Sequence, residues 1–163
     1  MIGIVIPTLD RKVGYDTGRL GLLSACCEAR LIVCEDTDRR GFSKTVNSGL
    51  AQLEPGEDAL ILNDDIRWFT FGWLRYMQEA LYSSSTYGIA GPTGKSSTVP
   101  MRLGWPGMWG VEVVDHIPFW AALVKAKTIE RIGHLDESFI HYGSDNWYCW
   151  RAAEKGLLSI WVK

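Results

Sequence analysis

An α/β fold with a mostly parallel sheet is the fold class that this sequence predicts. Short apolar runs alternate with segments of helical periodicity up to about residue 90, which is the pattern of strands joined by right-handed helical crossovers. The apolar run at 59–62 has no polar interruption, as expected of a strand buried on both faces of a parallel sheet. The 163 residues are predicted to form one domain over 1–163.

The first part of the chain contains four predicted strands and three predicted helices. Strands are predicted at 2–6, 30–34, 58–63 and 87–90, and helices at 13–29, 42–53 and 71–82. Each strand is a short apolar run that ends near proline, glycine or acidic residues. The helices have apolar residues at helical spacing, as in the stripe Leu74, Met77 and Leu81. Three glycines weaken the helical pattern of 13–29.

The alternation stops after residue 90. Residues 91–110 contain five glycines and three prolines, which predicts a long irregular segment of the kind that is usually functional or mobile. Strands are then predicted at 111–114 and 118–124, antiparallel or at the sheet edge. Helices follow at 127–132 and 144–155, each ended by a glycine, and a strand at 157–162 closes the chain.

Composition excludes several classes of function. The net charge of −2 gives no general attraction to nucleic acid or to an anionic membrane. No apolar run approaches the roughly 20 residues of a membrane span, and the first residues have no basic region like that of a signal peptide. The four cysteines have no metal-binding spacing and are interpreted as reduced thiols, so a cytoplasmic location is predicted.

Acidic residues follow the central predicted strand. Asp64 and Asp65 come directly after Asn63, at the carboxyl end of the strand, where parallel sheets bind their ligands. Strand alternation would send the two acids to opposite faces, so one of them is expected to face a cleft. Hard oxygen ligands favour Mg²⁺ or Mn²⁺. The alternative is that both acids simply end the strand as turn residues.

The segment 91–96, Gly-Pro-Thr-Gly-Lys-Ser, approaches a phosphate-binding loop without completing the motif. The motif needs a glycine where Ile89 stands and a helix directly after Ser96, whereas Pro100 follows closely. An NTPase is therefore the third alternative for function.

Six short motifs occur in one order along the chain. They are Ile-Val-Ile-Pro-Thr-Leu-Asp-Arg at 4–11, Ile-Val-Cys-Glu-Asp at 32–36, Asn-Ser-Gly at the end of 41–49, Leu-Asn-Asp-Asp at 62–65, Gly-His-Leu-Asp-Glu-Ser-Phe at 133–139, and Asp145 with Arg151 and Gly156. The ordered set resembles the family-2 glycosyltransferases with the GT-A fold. It covers nearly the whole chain and implies a GT-A-like, Rossmann-type, mostly parallel sheet flanked by helices. Asn63 stands where many members have the first Asp of the Asp-x-Asp signature, and Ser144 where they have Glu.

The resemblance implies a nucleotide-diphosphate sugar donor of the UDP, GDP or dTDP type and a Mn²⁺ or Mg²⁺ cofactor. The residues expected to contact the donor are Pro7, Thr8, Arg11, Glu35, Asp36, Asn47, Asn63, Asp64 and Asp65. The metal ion is expected chiefly on Asp65, with Asp64 and His141 as further ligands. The alternatives are a solvated turn for Glu35 and Asp36, and no metal role for a lone histidine.

Asp145 is expected to be the general base that takes a proton from the acceptor hydroxyl. It is predicted in the first turn of a helix with Ser144 as N-cap, where the helix dipole favours a carboxylate. A plain helix-start Asp is the alternative.

A second group of residues is expected on the acceptor side or in a lid. Lys95 and Arg102 are expected to close over the diphosphate, and Trp105, Trp109 and Trp120 to contact a carbohydrate or other hydroxyl acceptor. The alternative for the tryptophans is that they only bury the long segment.

The resemblance and the site residues together indicate a metal-dependent, inverting glycosyltransferase. A non-catalytic nucleotide-sugar or carbohydrate binding module on the same fold is the main alternative.

Overall fold

The computed structural model describes residues 1–67, 69–92, 110–140 and 142–163. The strands are β1 (Ile2–Thr8), β2 (Ala29–Glu35), β3 (Asp58–Leu62), β4 (Tyr87–Pro92), β5 (Val111–Val114), β6 (Ala121–Val124) and β7 (Leu158–Val162). The helices are α1 (Arg11–Ala25), α2 (Phe42–Leu50), α3 (Trp73–Tyr82), α4 (Ala126–Ile132) and α5 (Ser144–Glu154). In the described residues, no helix has the length and apolar character that crossing a membrane requires.

The strands form one sheet in the order β2-β1-β3-β6-β4-β7-β5. The β1–β2, β1–β3 and β4–β7 pairs are parallel, and β6 lies antiparallel between β3 and β4. The edge strand β5 runs antiparallel to β7. The predicted α/β class with a mostly parallel sheet is thereby confirmed, as is the antiparallel direction of the two strands after residue 110.

Six of the seven strands differ from the sequence prediction by one to three residues at an end, and two of these differences lie beside the cleft. β1 continues through Pro7 to Thr8, because its pairing with β3 ends at Val5 and a residue without an amide proton is tolerated beyond that point. β6 begins at Ala121 instead of residue 118, because the two residues before it form a turn. Both differences lie at the carboxyl end of the parallel strands, where the chain leaves the sheet to form a cleft.

The sheet separates two apolar clusters, one on each face. Successive residues of β3 belong to opposite clusters. Ile61 packs with α2 and α5 on one face, and Leu60 and Leu62 pack with α1 and α3 on the other. Leu60 and Leu62 are fully buried, and burying each side chain contributes about 1.5–3 kcal/mol. The prediction that the central strand is buried on both faces is confirmed.

The glycines of α1 allow it to lie close to the sheet. Gly14 and Gly18 are both buried, and a Cβ at either position would come within 2.8 Å of a side chain of β2. α1 also begins earlier than predicted, because the Asp10 carboxylate caps it by accepting from the Lys12 and Val13 amides. The glycines therefore bring close contact with the sheet at the cost of helix propensity.

Gly49→Ala is expected to destabilise the protein by about 1–3 kcal/mol through overpacking. A Cβ at this position in α2 would lie 2.3 Å from Val5 Cγ1 and 3.0 Å from Cys34 Sγ, and Val5 is β-branched and stiff. Urea unfolding gives the free-energy difference. Gly21→Ala in α1 is the control, because its Cβ would make ordinary contact at 3.4 Å with Phe69. Equal stability of the two variants would contradict the packing argument.

Candidate functional site

A cleft of about 670 Å³ opens at the carboxyl ends of β1, β2 and β3. Its walls come from the end of β1, from residues that follow each of these strands, and from the start of α2. The lining residues are Pro7, Thr8, Leu9, Asp36, Arg39, Gly41, Phe42, Thr45, Asn63 and Asp64. Five of the residues predicted to contact a nucleotide-sugar donor are brought together in this cleft. Its volume is in the range of pockets that bind small molecules and cofactors.

Asp64 is fixed in the cleft by contacts with β1 and α1. The Thr8 hydroxyl donates to Asp64 Oδ2 at 2.5 Å, which orients the carboxylate. The Asp64 carbonyl accepts from the Thr17 hydroxyl and from Arg67 Nη1, both at 2.6 Å. Arg67 also donates to the Thr17 hydroxyl at 2.8 Å, so the three groups form one network. Backbone and side chain are thus both held, and no described residue donates a hydrogen bond to Oδ1.

Asp65 was expected to be the principal metal ligand, but it is exposed, and Asp64 is the acid that lines the cleft. β3 ends at Leu62, and residues 64 and 65 form a turn. Strand alternation therefore no longer determines which acid faces the cleft. The expectation that one of the two acids faces it agrees with the structure.

The described residues contain no group of three His, Cys, Asp or Glu side chains that could hold a metal ion by itself. Mg²⁺ and similar ions are often bound through one or two carboxylates plus substrate phosphates. Asp64 fits such a site, because it is ordered by Thr8 and faces a cleft large enough for a diphosphate ligand. The chain therefore offers a partial ligand set that a bound diphosphate would complete.

Asp36 holds the segment between β2 and α2. Its two carboxylate oxygens accept from the Arg40 and Gly41 amides, each at 2.8 Å, and Arg40 Nε lies 3.7 Å away. Burial acts to raise the pKa of the Asp36 carboxyl, but the hydrogen bonds from the two amides, together with the Thr45 hydroxyl and the Arg40 charge, hold the pKa below its ordinary value of 3.8. Asp36 therefore lines the cleft and also closes the turn, and it is buried, unlike the acid of a solvated turn.

Asp36→Asn is expected to destabilise the protein at neutral pH and to have a smaller effect in acid. A carboxyl whose pKa is lowered by folding contributes stability above its unfolded pKa and loses it as pH falls through the folded pKa. The difference in unfolding free energy between wild type and variant should thus shrink below about pH 3.8. Urea unfolding at about pH 7 and about pH 3 measures it, with the exposed Asp16→Asn as control. A difference independent of pH would contradict the assignment.

Arg39 gives the cleft a cation that the sequence did not single out. Its backbone has φ 52°, a left-handed conformation that few residues other than glycine adopt, and its side chain is exposed at the cleft wall. Gly41, at φ 98°, follows closely and is buried against Ile140. These two left-handed residues shape the segment that Asp36 ties down, and they direct it along the cleft.

A smaller cavity of about 230 Å³ adjoins the cleft. It is lined by Phe42, Asn63, Pro118, Phe119, Trp120, Tyr142, Ser144 and Asp145, and so shares Phe42 and Asn63 with the larger cleft. Trp120 and Asp145, both predicted for the acceptor side, lie together here. Asp145 is half-buried and Tyr142 is 92% exposed, so the cavity has a carboxylate inside and an aromatic ring at its mouth.

Asp145 lies in the first turn of α5, as predicted. The predicted N-cap was wrong: Ser144 is the first helical residue and is buried, and Gly143, at φ 89°, occupies the cap position without a side-chain bond. Asp145 Oδ1 accepts from the Asn146 amide at 2.9 Å. The carboxylate therefore lies at the start of α5, beside the amide groups of its first turn.

Three other residues expected at the donor lie elsewhere. Asn47 is buried and exchanges two hydrogen bonds of 2.9 Å with the Leu135 backbone, which joins α2 to the segment before α5. Arg11 is exposed and stacks on Tyr15, and Glu35 is half-buried at the last position of β2. Their part in nucleotide binding stays a prediction, and the structure gives Asn47 a clear structural role.

Several sequence predictions lie outside the described residues. They concern Lys95, Arg102, Trp105, Trp109 and His141, together with the expected lid at 92–110 and the incomplete phosphate-loop motif. Conversely, the described structure adds cavity residues that the sequence did not indicate, namely Leu9, Arg39, Phe42, Thr45, Pro118, Phe119 and Tyr142. Among these residues, only Phe42 could have been expected near the cleft from the sequence, because it is the first apolar residue after the acidic end of β2.

Comparison with known proteins gives a structural match without a sequence match. No family model matches the chain, and no curated protein matches it. Among solved structures, it is similar to the catalytic domain of Drosophila β1,4-galactosyltransferase 7 in complex with xylobiose, with a TM-score of 0.66 and 15% identity over 97% of this chain. The match covers 63% of that domain, so this chain spans less than two thirds of its length. At this identity the likeness shows the fold alone, which is a GT-A-like mostly parallel mixed sheet flanked by helices.

Proposed function

We propose that this chain is an inverting glycosyltransferase that moves a sugar from a nucleotide-diphosphate donor to an acceptor hydroxyl. The observation that carries the proposal is the pair of adjoining cavities at the carboxyl edge of the sheet. The larger one has charged groups suited to a nucleotide, and the smaller one has a carboxylate among aromatic rings. The GT-A-like fold supports the same function, because it is shared with a galactosyltransferase catalytic domain.

The larger cleft has groups for a diphosphate. Arg39 offers a guanidinium that can pair with phosphate oxygens, and Asp64 would hold Mn²⁺ or Mg²⁺ together with the phosphates. When bound, such an ion stabilises negative charge on the leaving diphosphate. A donor of the UDP, GDP or dTDP type satisfies this chemistry equally well.

Asp145 suits the role of general base. The acceptor oxygen attacks the anomeric carbon of the donor sugar, and its proton passes to the Asp145 carboxylate. The bond from the anomeric carbon to the diphosphate breaks, and its electron pair leaves with the nucleoside diphosphate. A single displacement of this kind inverts the anomeric centre. Trp120 and Tyr142 would hold a carbohydrate or other hydroxyl acceptor through their ring faces.

A non-catalytic binding module on the same fold is the second candidate. It is favoured by Asn63 and Ser144, which stand where many members of the resembling family have Asp and Glu. Such a module would bind the donor without releasing nucleoside diphosphate.

A thermal-shift screen of UDP-, GDP- and dTDP-sugars with Mn²⁺, and with a chelator instead, tests the proposal. A ligand that binds the native state raises the melting temperature with its concentration, and we expect such a rise for one base only in the presence of the ion. Release of the nucleoside diphosphate on adding glycoside acceptors would support transfer. No shift with any donor would contradict the proposal, and binding without release would favour the module.

A further inference from the structure

The two cavities meet at Phe42 and Asn63. These two residues line both of them, whereas the other described lining residues belong to one cavity or the other. In a transfer reaction, the bond that breaks joins the sugar to the diphosphate, and the bond that forms joins the sugar to the acceptor. The transferred sugar must therefore lie between the donor cavity and the acceptor cavity, which is the position of Phe42 and Asn63.

Both residues are held by hydrogen bonds of their backbone amides. The Phe42 amide donates to the Ile140 carbonyl at 2.9 Å, and its half-buried ring packs at the edge of the apolar cluster beneath α2. The Asn63 amide donates to the Trp120 carbonyl at 2.9 Å. No described residue hydrogen-bonds the Asn63 side chain. An aromatic ring and a carboxamide that no described residue binds thus lie at the same junction.

The chemistry of this pair matches a hexose. The face of an aromatic ring packs against the C–H groups of a sugar, and a carboxamide can both donate to and accept from vicinal hydroxyls. A phosphate would instead need charged groups, which Asp64 and Arg39 supply in the larger cleft. We propose that Phe42 and Asn63 form the subsite for the transferred sugar, and that Asn63 determines which hexose is accepted. This inference rests on the proposed function.

Binding of nucleoside diphosphates and of their sugar conjugates tests the inference. Calorimetry with Mn²⁺ would compare UDP with UDP-glucose and UDP-galactose, and GDP with GDP-mannose, in wild type, Phe42→Leu and Asn63→Ala. We expect the affinity ratio between sugar conjugate and nucleoside diphosphate to fall about tenfold in each variant, as for the loss of one good contact. The affinity for the nucleoside diphosphate alone should change less than about twofold, since its contacts lie elsewhere. Asn63→Ala should also narrow the preference between the two UDP-hexoses, which differ in one hydroxyl configuration.

Phe71→Leu is the matched control, because Phe71 is 74% exposed and lies outside both cavities. It should leave the ratio unchanged. An equal loss for nucleoside diphosphate and sugar conjugate would assign Asn63 to the phosphate or metal site and overturn the inference. An unchanged ratio in both variants would overturn it as well, provided that their melting temperatures match wild type. Wild-type protein that binds none of these ligands would instead contradict the proposed function.

Discussion

Asp145→Asn is expected to lower the rate of sugar transfer by on the order of 10²–10⁴-fold, the usual contribution of a positioned base. Donor affinity should stay nearly unchanged. Asp145 lines the smaller cavity, whereas the charged residues of the larger cleft, Asp36, Arg39 and Asp64, follow β2 and β3. Asparagine keeps the size of the side chain and can still accept from the Asn146 amide, so the start of α5 should be retained. Transfer rate, donor affinity and melting temperature are measured on the same two proteins.

The three measurements separate the possible roles of Asp145. A binding module has no transfer activity to lose. If Asp145 only supports the start of the helix, its replacement should lower the free energy of unfolding by roughly 1 kcal/mol and leave the transfer rate unchanged. Asp136→Asn and Glu137→Gln are the comparison variants, since these acids precede α5 but bond to the Ser138 amide and to Asn47. Full transfer by a well-folded Asp145→Asn would exclude it as the base and would direct attention to Asp136 and Glu137.

The strands and helices could be predicted because local apolar patterns determine them. The uninterrupted run in β3 places Leu60 and Leu62 in one apolar cluster and Ile61 in the other, as the pattern implies. The errors lie at element ends, where backbone conformation decides. α3 begins at Trp73 instead of residue 71, because Gly72 has φ 78° and cannot be part of a right-handed helix.

The acids of the cleft show what the sequence could not provide. Asp64 faces the cleft because Thr8 and Thr17, 56 and 47 residues away in sequence, bind its side chain and its carbonyl. No local pattern reports such contacts, so strand alternation could predict that one acid would face the cleft but could not identify which one. Arg39 was missed for a similar reason, since its left-handed backbone depends on the turn that Asp36 closes.

Two of the residues that line the smaller cavity, Asp145 and Trp120, were singled out from the sequence. The resemblance of separate motifs indicated Asp145, and an aromatic residue near the irregular segment indicated Trp120. Their meeting depends on β6, which runs antiparallel beside β3 and brings the preceding turn next to Asn63. Tyr142 is 92% exposed in a segment without periodicity, so the sequence carries no packing signal for it. Cavity walls built from distant turns are thus the part of the site that needed three-dimensional information.

Asp64→Asn is expected to weaken Mn²⁺-dependent binding of a nucleoside diphosphate by roughly 10–100-fold or more, because changes even to residues that only support a metal ligand have effects of that size. Asp65→Asn should change it less than about twofold, because Asp65 is exposed outside the cleft lining. Asparagine at position 64 can still accept from the Thr8 hydroxyl, and the backbone bonds to Thr17 and Arg67 do not involve the carboxylate. The fold should therefore be unchanged, and the loss should reflect one negative charge removed from the cleft.

Calorimetric titration of UDP and GDP, with Mn²⁺ and with a chelator, distinguishes the two acids. The two variants remove the same charge from adjacent positions, so each controls for the change in net charge caused by the other. Binding without the metal ion should be similar in wild type and both variants, or slightly tighter in Asp64→Asn, because a carboxylate close to a diphosphate is repulsive when no cation lies between them. The opposite ranking, with Asp65→Asn losing the Mn²⁺-dependent affinity, would show that the turn at 64–65 rearranges on binding and that Asp65 is the ligand. Equal losses in both variants would indicate that both acids contact the ion.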